Sequence, residues 1–193
     1  MVKLIGPKKI NTAVFISGTG SNLKNLIKFS LIKKSPIRIY LIISNKKNAK
    51  GLIYSKKYKI KKKTYNFENK NTESKILRIL KREKISLICL AGFMKILSKK
   101  FIQKFNGKIL NIHPSLLPKY KGLNTHKRAL ENYEKFSGCT VHLVNSKLDS
   151  GKIILQKKVK ICKNDTIETL KKKVQKQEYL LYPKAIKKIL SNL

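Results

Sequence analysis

The chain has 193 residues and a hydrophobic fraction of 41%, enough for one compact domain with a buried core. No apolar run approaches the roughly 20 residues of a membrane-spanning helix, and residues 1–12 lack the apolar stretch of a secretory signal. The formal net charge of +37 would favour a nucleic-acid binder, but the basic residues are almost all lysines spread along the whole chain, which instead indicates a solvated surface.

Apolar β-branched runs alternate with segments of helical periodicity along the chain. The predicted strands span residues 13–17, 37–44, 85–90, 108–112, 140–144 and 153–159. The predicted helices span residues 22–29, 73–84, 127–135 and 165–190; Asp165 or Thr166 caps the last one, and Pro183 kinks or divides it. Strand followed by helix, repeated, predicts an α/β fold with an open, mostly parallel twisted sheet and helices on both faces.

A glycine-rich turn follows the first predicted strand and precedes the first predicted helix. Gly20 permits close approach of the backbone, while Ser21 and Asn22 add a hydroxyl and an amide. Backbone N–H groups at a helix start favour an anion such as phosphate. The spacing matches neither the dinucleotide fingerprint nor the Walker motif, so an ordinary capped turn remains open as an alternative.

The segment Asn111-Ile112-His113-Pro114 ends another predicted strand. Alternate strand residues point to the same side, so Asn111 and His113 project together while Ile112 faces the core. An amide beside an imidazole can stabilise a developing oxyanion, and the imidazole can also transfer a proton. Taken alone, a histidine such as His113 is more often a structural one.

Asp149 is one of two aspartates in the chain and precedes Ser150-Gly151. Considered by itself, it is typical of a turn. If Asp149 lies near His113, its carboxylate favours the protonated imidazole and can orient a water molecule.

Four segments of the chain, two of which contain Asn111, His113 and Asp149, carry a resemblance to a known family. They are Ala91 to Ser98, Leu110 to Leu130, Ser137 to Gln156 and Val174 to Glu178. Together with Gly18 to Asn22 they resemble, in the same order and over nearly the whole chain, the glycinamide ribonucleotide formyltransferases of the folate-dependent formyltransferase family. The resemblance implies transfer of a formyl group from 10-formyltetrahydrofolate to the amine of glycinamide ribonucleotide in purine (IMP) biosynthesis, with no metal.

The resemblance also implies a role for each matching residue. The catalytic residues would be His113, Asn111 and Asp149. The phosphate loop would comprise Gly20, Ser21 and Asn22, and Glu178 would contact the amine end of the ribonucleotide. The folate would be bordered by Met94, Lys95, Ile96, Leu97 and Asn111, with Lys70 in place of an arginine common in the family. His142 would support the site from its strand, and His126 would lie in a loop.

We expect a single formyltransferase domain, residues 1–193, with a phosphate-binding half over residues 12–100 and a folate-binding, catalytic half over residues 101–193. The expected partners are the two small-molecule substrates, with no membrane and no specific nucleic acid, and the chain is expected to be a monomer or weak homodimer. Two alternatives stay open: an enzyme like methionyl-tRNA formyltransferase, and a basic nucleic-acid-binding protein.

The three cysteines, Cys89, Cys139 and Cys162, are odd in number and lack metal-ligand spacing. Cys89 and Cys139 lie among apolar residues and are expected to be buried free thiols. Unpaired thiols favour a reducing compartment, so a cytoplasmic location is expected.

Overall fold

The computed structural model describes residues 9–191. The strands are β1 (Ile10–Ile16), β2 (Ile37–Ser44), β3 (Lys61–Thr64), β4 (Leu87–Leu90), β5 (Lys108–His113), β6 (Phe136–Leu143) and β7 (Ile153–Lys160). The helices are α1 (Ser21–Leu31), α2 (Ile53–Lys57), α3 (Thr72–Arg82), α4 (Lys99–Lys104), α5 (Thr125–Glu131) and α6 (Ile167–Leu190), and a 3-10 turn covers Lys50–Leu52. The strands form one open sheet in the order β3-β2-β1-β4-β5-β6-β7, which confirms the predicted fold class.

The described chain divides into two compact units. The first contains the residues up to Lys95 together with Gln103–Lys108, and the second contains Ile96–Ile102 and the residues from Ile109 onward. Across residues 9–191, no helix combines the length and apolar character that crossing a bilayer requires.

The first unit is built on four parallel strands. β1 pairs with β2 on one side and with β4 on the other, and β3 pairs with β2. All four residues of β4 are buried, as are the last five of β1, because a parallel strand covered on both faces excludes water from every side chain. β3 was missed by the sequence prediction, since its Lys-Lys-Lys-Thr sequence is fully exposed and carries no apolar signal. β3 is a strand only because it pairs with β2 at the edge of the sheet. Its exposed lysines disfavour pairing of this edge with another chain.

The second unit carries the antiparallel part of the sheet, in which β6 pairs with both β5 and β7. Helix α6 packs against β6 and β7 and buries Leu170, Val174 and Ile186. Tyr182 is fully buried, and its hydroxyl donates a hydrogen bond to the Leu110 carbonyl oxygen at 3.1 Å. This packing accounts for the periodicity that predicted the helix.

Helix α6 begins with a capping box in which the Thr166 hydroxyl accepts from the Thr169 N–H and the Thr169 hydroxyl accepts from the Thr166 N–H. This confirms the predicted start of the helix. The predicted division at Pro183 is wrong, because α6 continues through Pro183 to Leu190. A proline costs a helix one internal hydrogen bond, and burial of Leu181, Tyr182, Ala185 and Ile186 maintains the helix in spite of that loss.

The region around α5 also differs from the prediction. The helix spans Thr125–Glu131 and not residues 127–135, and it places His126 in a helix and not in a loop. Tyr133 has a positive φ of 49°, which ends the helix, and β6 then begins at Phe136, four residues before the predicted strand. The early start of β6 comes from pairing with β7, which local sequence does not reveal.

Candidate active site

Asn111 and His113 lie two residues apart at the end of β5, in the second unit. In the antiparallel register, Asn111 is opposite His142 of β6. His113 is only 5% exposed and His142 is buried as well. The period of two along a strand puts the Asn111 and His113 side chains on one side, as predicted.

Asp149 follows β6 in a loop and reaches both of these side chains. Its Oδ2 lies 3.3 Å from His113 Nδ1, and its Oδ1 lies 3.3 Å from the Asn111 amide nitrogen and 3.6 Å from His142 Nε2. Asp149 itself has a positive φ of 44°. The structure therefore brings together the three residues that the sequence resemblance nominated, with His142 beside them on its strand, where the resemblance also placed it.

Backbone groups from residues 120 to 122 complete the surroundings. The Tyr120 carbonyl oxygen lies 2.8 Å from His113 Nε2, and the Gly122 N–H donates to Asp149 Oδ2 at 2.9 Å. Sequence reasoning missed both groups, because every residue except proline has an N–H and every residue has a carbonyl. The one local signal was Gly122, whose φ of 79° favours glycine.

The hydrogen-bond partners fix which nitrogens carry protons. A carbonyl oxygen only accepts, so His113 Nε2 carries a proton and donates to Tyr120. By the same argument His142 Nδ1 donates to the Leu143 carbonyl at 2.8 Å. His142 Nε2 lies 3.2 Å from the Asn111 amide nitrogen and 3.6 Å from Asp149 Oδ1. The Asn111 amide nitrogen therefore already has two polar neighbours, His142 and Asp149, with which a substrate oxygen would compete.

The two catalytic candidates with shifted pKa values are His113 and Asp149. Burial lowers the pKa of His113, and the Tyr120 carbonyl and the Asp149 charge oppose this without outweighing it. Asp149 thus favours the protonated imidazole, as expected, although burial has the larger effect on the pKa. Burial alone would raise the pKa of Asp149, but His142 and the Gly122 N–H outweigh burial, so the net pKa is lowered and the carboxylate is ionised.

The predicted phosphate loop lies in the first unit. Gly20 immediately precedes α1 with φ 72°, and a Cβ at this position would lie 2.7 Å from the Gly51 Cα. The Gly51 N–H donates to the Gly18 carbonyl at 2.9 Å, which fixes the turn against the 3-10 segment. Ser21 begins α1 half-buried and Asn22 is buried. The fold itself therefore requires glycine at position 20, independently of the predicted phosphate contact.

The predicted folate-bordering residues divide between the two units. In the first unit, Met94 is 61% exposed and its N–H donates to the Ser17 hydroxyl at 2.8 Å, while the Lys95 ammonium lies 3.9 Å from Glu68. In the second unit, Ile96 is 73% exposed and Leu97 is buried.

Lys70 and Glu178 stay predictions as ligand contacts. Lys70 is exposed, two residues after Glu68. Glu178 lies on α6 and is only 8% exposed, which is unusual for a glutamate. Burial, and next the Glu178 charge, raise the pKa of the Cys139 thiol to about 12. Cys89 and Cys139 are buried free thiols, as predicted.

Histidine, cysteine and carboxylate side chains within residues 9–191 form no group that could hold a metal ion. An α/β sheet with an amide, an imidazole and an ionised carboxylate meeting at a strand end defines a class of enzyme suited to acyl transfer. Such a set can donate to a tetrahedral oxygen and relay a proton without a covalent intermediate.

Comparison with known proteins gives the family. The family model described as formyl transferase matches residues 10–186. A phosphoribosylglycinamide formyltransferase of Haemophilus influenzae is 47% identical over 184 residues, covering 93% of this chain and 86% of the relative. The crystal structure of phosphoribosylglycinamide formyltransferase from Anaplasma phagocytophilum superposes with a TM-score of 0.90 at 39% identity, covering 96% of this chain and 88% of that one. The chain belongs to the formyl transferase family.

Some relatives are much longer. The human trifunctional purine biosynthetic protein adenosine-3 is 44% identical over 188 residues, which cover 95% of this chain but 19% of the human protein. The chain thus spans about a fifth of the length of that relative.

Proposed function

We propose that this chain transfers the formyl group of 10-formyltetrahydrofolate to the amine of glycinamide ribonucleotide, giving formylglycinamide ribonucleotide and tetrahydrofolate in purine biosynthesis. The observation that carries the proposal is the contact of one carboxylate, Asp149, with both Asn111 and His113. The relatives named phosphoribosylglycinamide formyltransferase support the same substrates.

Asn111 and His113 act on the carbonyl oxygen. The neutral amine attacks the formyl carbon, and the new C–N bond forms as the C=O electron pair moves to oxygen. Asn111 donates one amide N–H to this oxygen, and in doing so gives up its present contact with His142 or Asp149. Negative charge developing beside His113 raises the pKa of the imidazole, so the ring binds a proton as the charge appears, and the resulting imidazolium stabilises the oxygen.

Asp149 is the base for the proton that the attacking amine must lose. The attacking nitrogen must lose one proton and the departing folate nitrogen must gain one, so the reaction needs no net acid or base. The ionised Asp149 carboxylate accepts the proton from the amine directly or through a water molecule and passes it to His113 Nδ1, 3.3 Å away. His113, or the water, then gives that proton to the folate nitrogen as the C=O bond re-forms and the C–N bond to the folate breaks. Aligning the two substrates contributes much of the rate.

The remaining assignments belong to the same proposal. Gly20, Ser21 and Asn22 would bind the ribonucleotide phosphate, and Glu178 would bind its amine end. The folate would contact Met94, Lys95, Ile96, Leu97 and Asn111, with Lys70 supplying a positive charge. We further propose a cytoplasmic location and a monomer or weak homodimer.

The test is a direct assay. Purified protein is incubated with glycinamide ribonucleotide and 10-formyltetrahydrofolate, and tetrahydrofolate formation is followed by absorbance, with initiator methionyl-tRNA in place of the ribonucleotide as the control. Formylation of the ribonucleotide alone supports the proposal. Formylation of the tRNA alone would establish the rival enzyme, and no turnover with either acceptor would reject both.

A further inference from the structure

Tyr120 touches the catalytic centre through its backbone and not through its ring. Its carbonyl oxygen accepts the hydrogen bond from His113 Nε2 at 2.8 Å, and two residues later the Gly122 N–H binds Asp149. A single short loop therefore orients both the imidazole and the carboxylate. The direction of the Tyr120 carbonyl decides whether His113 keeps its acceptor.

This backbone direction is unfavourable for a tyrosine. Tyr120 has φ 56°, in the left-handed region, where a Cβ crowds the backbone. Glycine would adopt it without that cost, as Gly122 does nearby. Other contacts of Tyr120 must therefore offset the cost.

The Tyr120 ring is held on two sides. Its hydroxyl donates to Glu134 Oε1 at 2.8 Å, and the Arg128 guanidinium lies 5.0 Å from the ring centre. The Lys119 ammonium binds the same Glu134 oxygen at 2.7 Å, and Lys119 and Tyr120 together lower the pKa of Glu134 and keep it ionised. Arg128 is itself fixed by donating to the Lys121 carbonyl at 2.8 Å.

We propose that Tyr120 is a positioning residue for His113: Glu134 and Arg128 clamp its ring, and the clamped ring maintains the left-handed backbone that aims the Tyr120 carbonyl at His113 Nε2. The part concerning catalysis rests on the proposed formyl transfer. The part concerning the imidazole stands on geometry alone.

Several charged or titratable groups face His113 besides Tyr120. Asp149 contacts its Nδ1, and the charges of His142 and Arg128 act on it from β6 and α5. His126 of α5 also interacts with it electrostatically. The Tyr120 carbonyl is one of the two groups that raise the pKa of His113, so loss of this acceptor lowers that pKa.

The test compares three substitutions at one position. Tyr120→Ala removes the ring but keeps the free-energy cost of the left-handed backbone, and Tyr120→Gly removes both the ring and that cost. Tyr120→Phe removes only the hydrogen bond to Glu134. For Tyr120→Ala we expect kcat to fall about five- to thirty-fold with KM for both substrates unchanged, the range that the cost of a left-handed residue implies. Tyr120→Gly should recover to within about three-fold of the wild type, because glycine needs no clamp.

Tyr133 provides the matched control. Its backbone is also in the left-handed region, with φ 49°, but the residue is 93% exposed. Tyr133→Ala and Tyr133→Gly should therefore leave kcat and the His113 titration unchanged.

The second readout does not depend on activity. Nitrogen-15 NMR of the three imidazoles reports which ring nitrogen carries the proton, and at what pH each ring titrates. In the wild type His113 should be the Nε2–H tautomer; in Tyr120→Ala its pKa should fall and its tautomer become mixed, and in Tyr120→Gly both should return. Tyr120→Phe should shift in the same direction by a smaller amount.

Wild-type kcat and an unshifted His113 in Tyr120→Ala would overturn the proposal, and so would a Tyr120→Gly enzyme as impaired as Tyr120→Ala. Should Tyr120→Ala fail to fold, Tyr120→Phe decides by the same two readouts. If wild type and variants all lack formyl transfer while the His113 resonances still shift as expected, the proposed function fails and the positioning of His113 stands.

Discussion

His113 and Asp149, far apart in the sequence, lie 3.3 Å from each other, with the imidazole Nδ1 facing carboxylate Oδ2. The Tyr120 carbonyl oxygen accepts a hydrogen bond from the other ring nitrogen of His113, Nε2. The Asn111 amide nitrogen lies 3.3 Å from the other carboxylate oxygen of Asp149, Oδ1. Both ring nitrogens of His113 and both carboxylate oxygens of Asp149 therefore contact a polar group of the protein before any substrate binds. This arrangement makes the consequences of single substitutions predictable.

Asp149→Asn should abolish most turnover while leaving the chain folded. The amide keeps the size of the side chain but removes the base and the charge that helps to protonate His113, so kcat should fall about 10²- to 10⁴-fold. The pKa of His113, measured by NMR, should fall further below its ordinary value.

Asp165→Asn is the control for that variant. Asp165 is the other aspartate of the chain; it binds Lys173 at 2.7 Å near the start of α6, and its pKa is also lowered, first by the Cys162 N–H and then by Lys173. Its replacement should leave kcat unchanged, and a comparable loss of turnover in Asp165→Asn would remove the special role of Asp149.

Gly20→Ala should destabilise the protein through its backbone. The new Cβ would meet the Gly51 Cα at 2.7 Å, and φ 72° is unfavourable for alanine. We expect a loss of about 2 kcal/mol or more in the free energy of unfolding, and a Tm lower by about 4–8 °C by calorimetry. KM for the ribonucleotide should also rise if this loop binds the phosphate.

Gly18→Ala tests the same loop without the clash. Gly18 is exposed, and a Cβ there meets no atom within 4 Å. Its Tm should match the wild type, and equal Tm values for the two variants would show that the Gly20–Gly51 contact does not constrain the fold.

The protein should lose stability as the pH falls below about 6.5, partly through His126. Burial, followed by the charges of Lys171 and His113, lowers the pKa of His126 to about 4, and its Nδ1 is buried without a hydrogen-bond partner. Because the unfolded chain binds this proton more readily than the folded one, stability rises with pH between about 4 and 6.5. His126 should contribute on the order of 1–2 kcal/mol across this range, less than the shift alone implies since the residue is partly exposed.

Urea unfolding of the wild type and His126→Gln at pH 7 and pH 5 measures this contribution. The wild type should lose more stability on acidification than the variant, while the remaining slope common to both reflects other groups such as His113. Parallel losses in the two proteins would mean that His126 is not the group responsible.

Thiol labelling should distinguish the three cysteines. Cys89 and Cys139 are buried, and the raised pKa of about 12 keeps the Cys139 thiol protonated, whereas Cys162 is exposed. Native protein treated with a chromogenic disulfide reagent at pH 8 should release about one equivalent quickly, and three after denaturation. The variant Cys162→Ser should lose the fast phase, and a fast phase that persists in it would place a second thiol at the surface.

The sequence by itself determined the alternation of strands and helices. Runs of buried apolar residues such as β2 are visible without a structure, and the predicted bounds of β2 agree with the observed ones. The period of two along a strand was sufficient to put Asn111 and His113 on one side. Resemblance to a known family nominated Asp149, which no local pattern distinguishes from a turn residue.

Only the tertiary structure decided how these residues meet. The left-handed backbone of Asp149 and the Tyr120 carbonyl depend on contacts between distant segments, because a local sequence does not specify which backbone group will face a given side chain. The same holds for β3, which exists through pairing, and for α6, which continues through Pro183 because Tyr182 and Ala185 are buried in the packed face of the helix. The lowered pKa of His113 is likewise a result of burial, which sequence spacing does not measure.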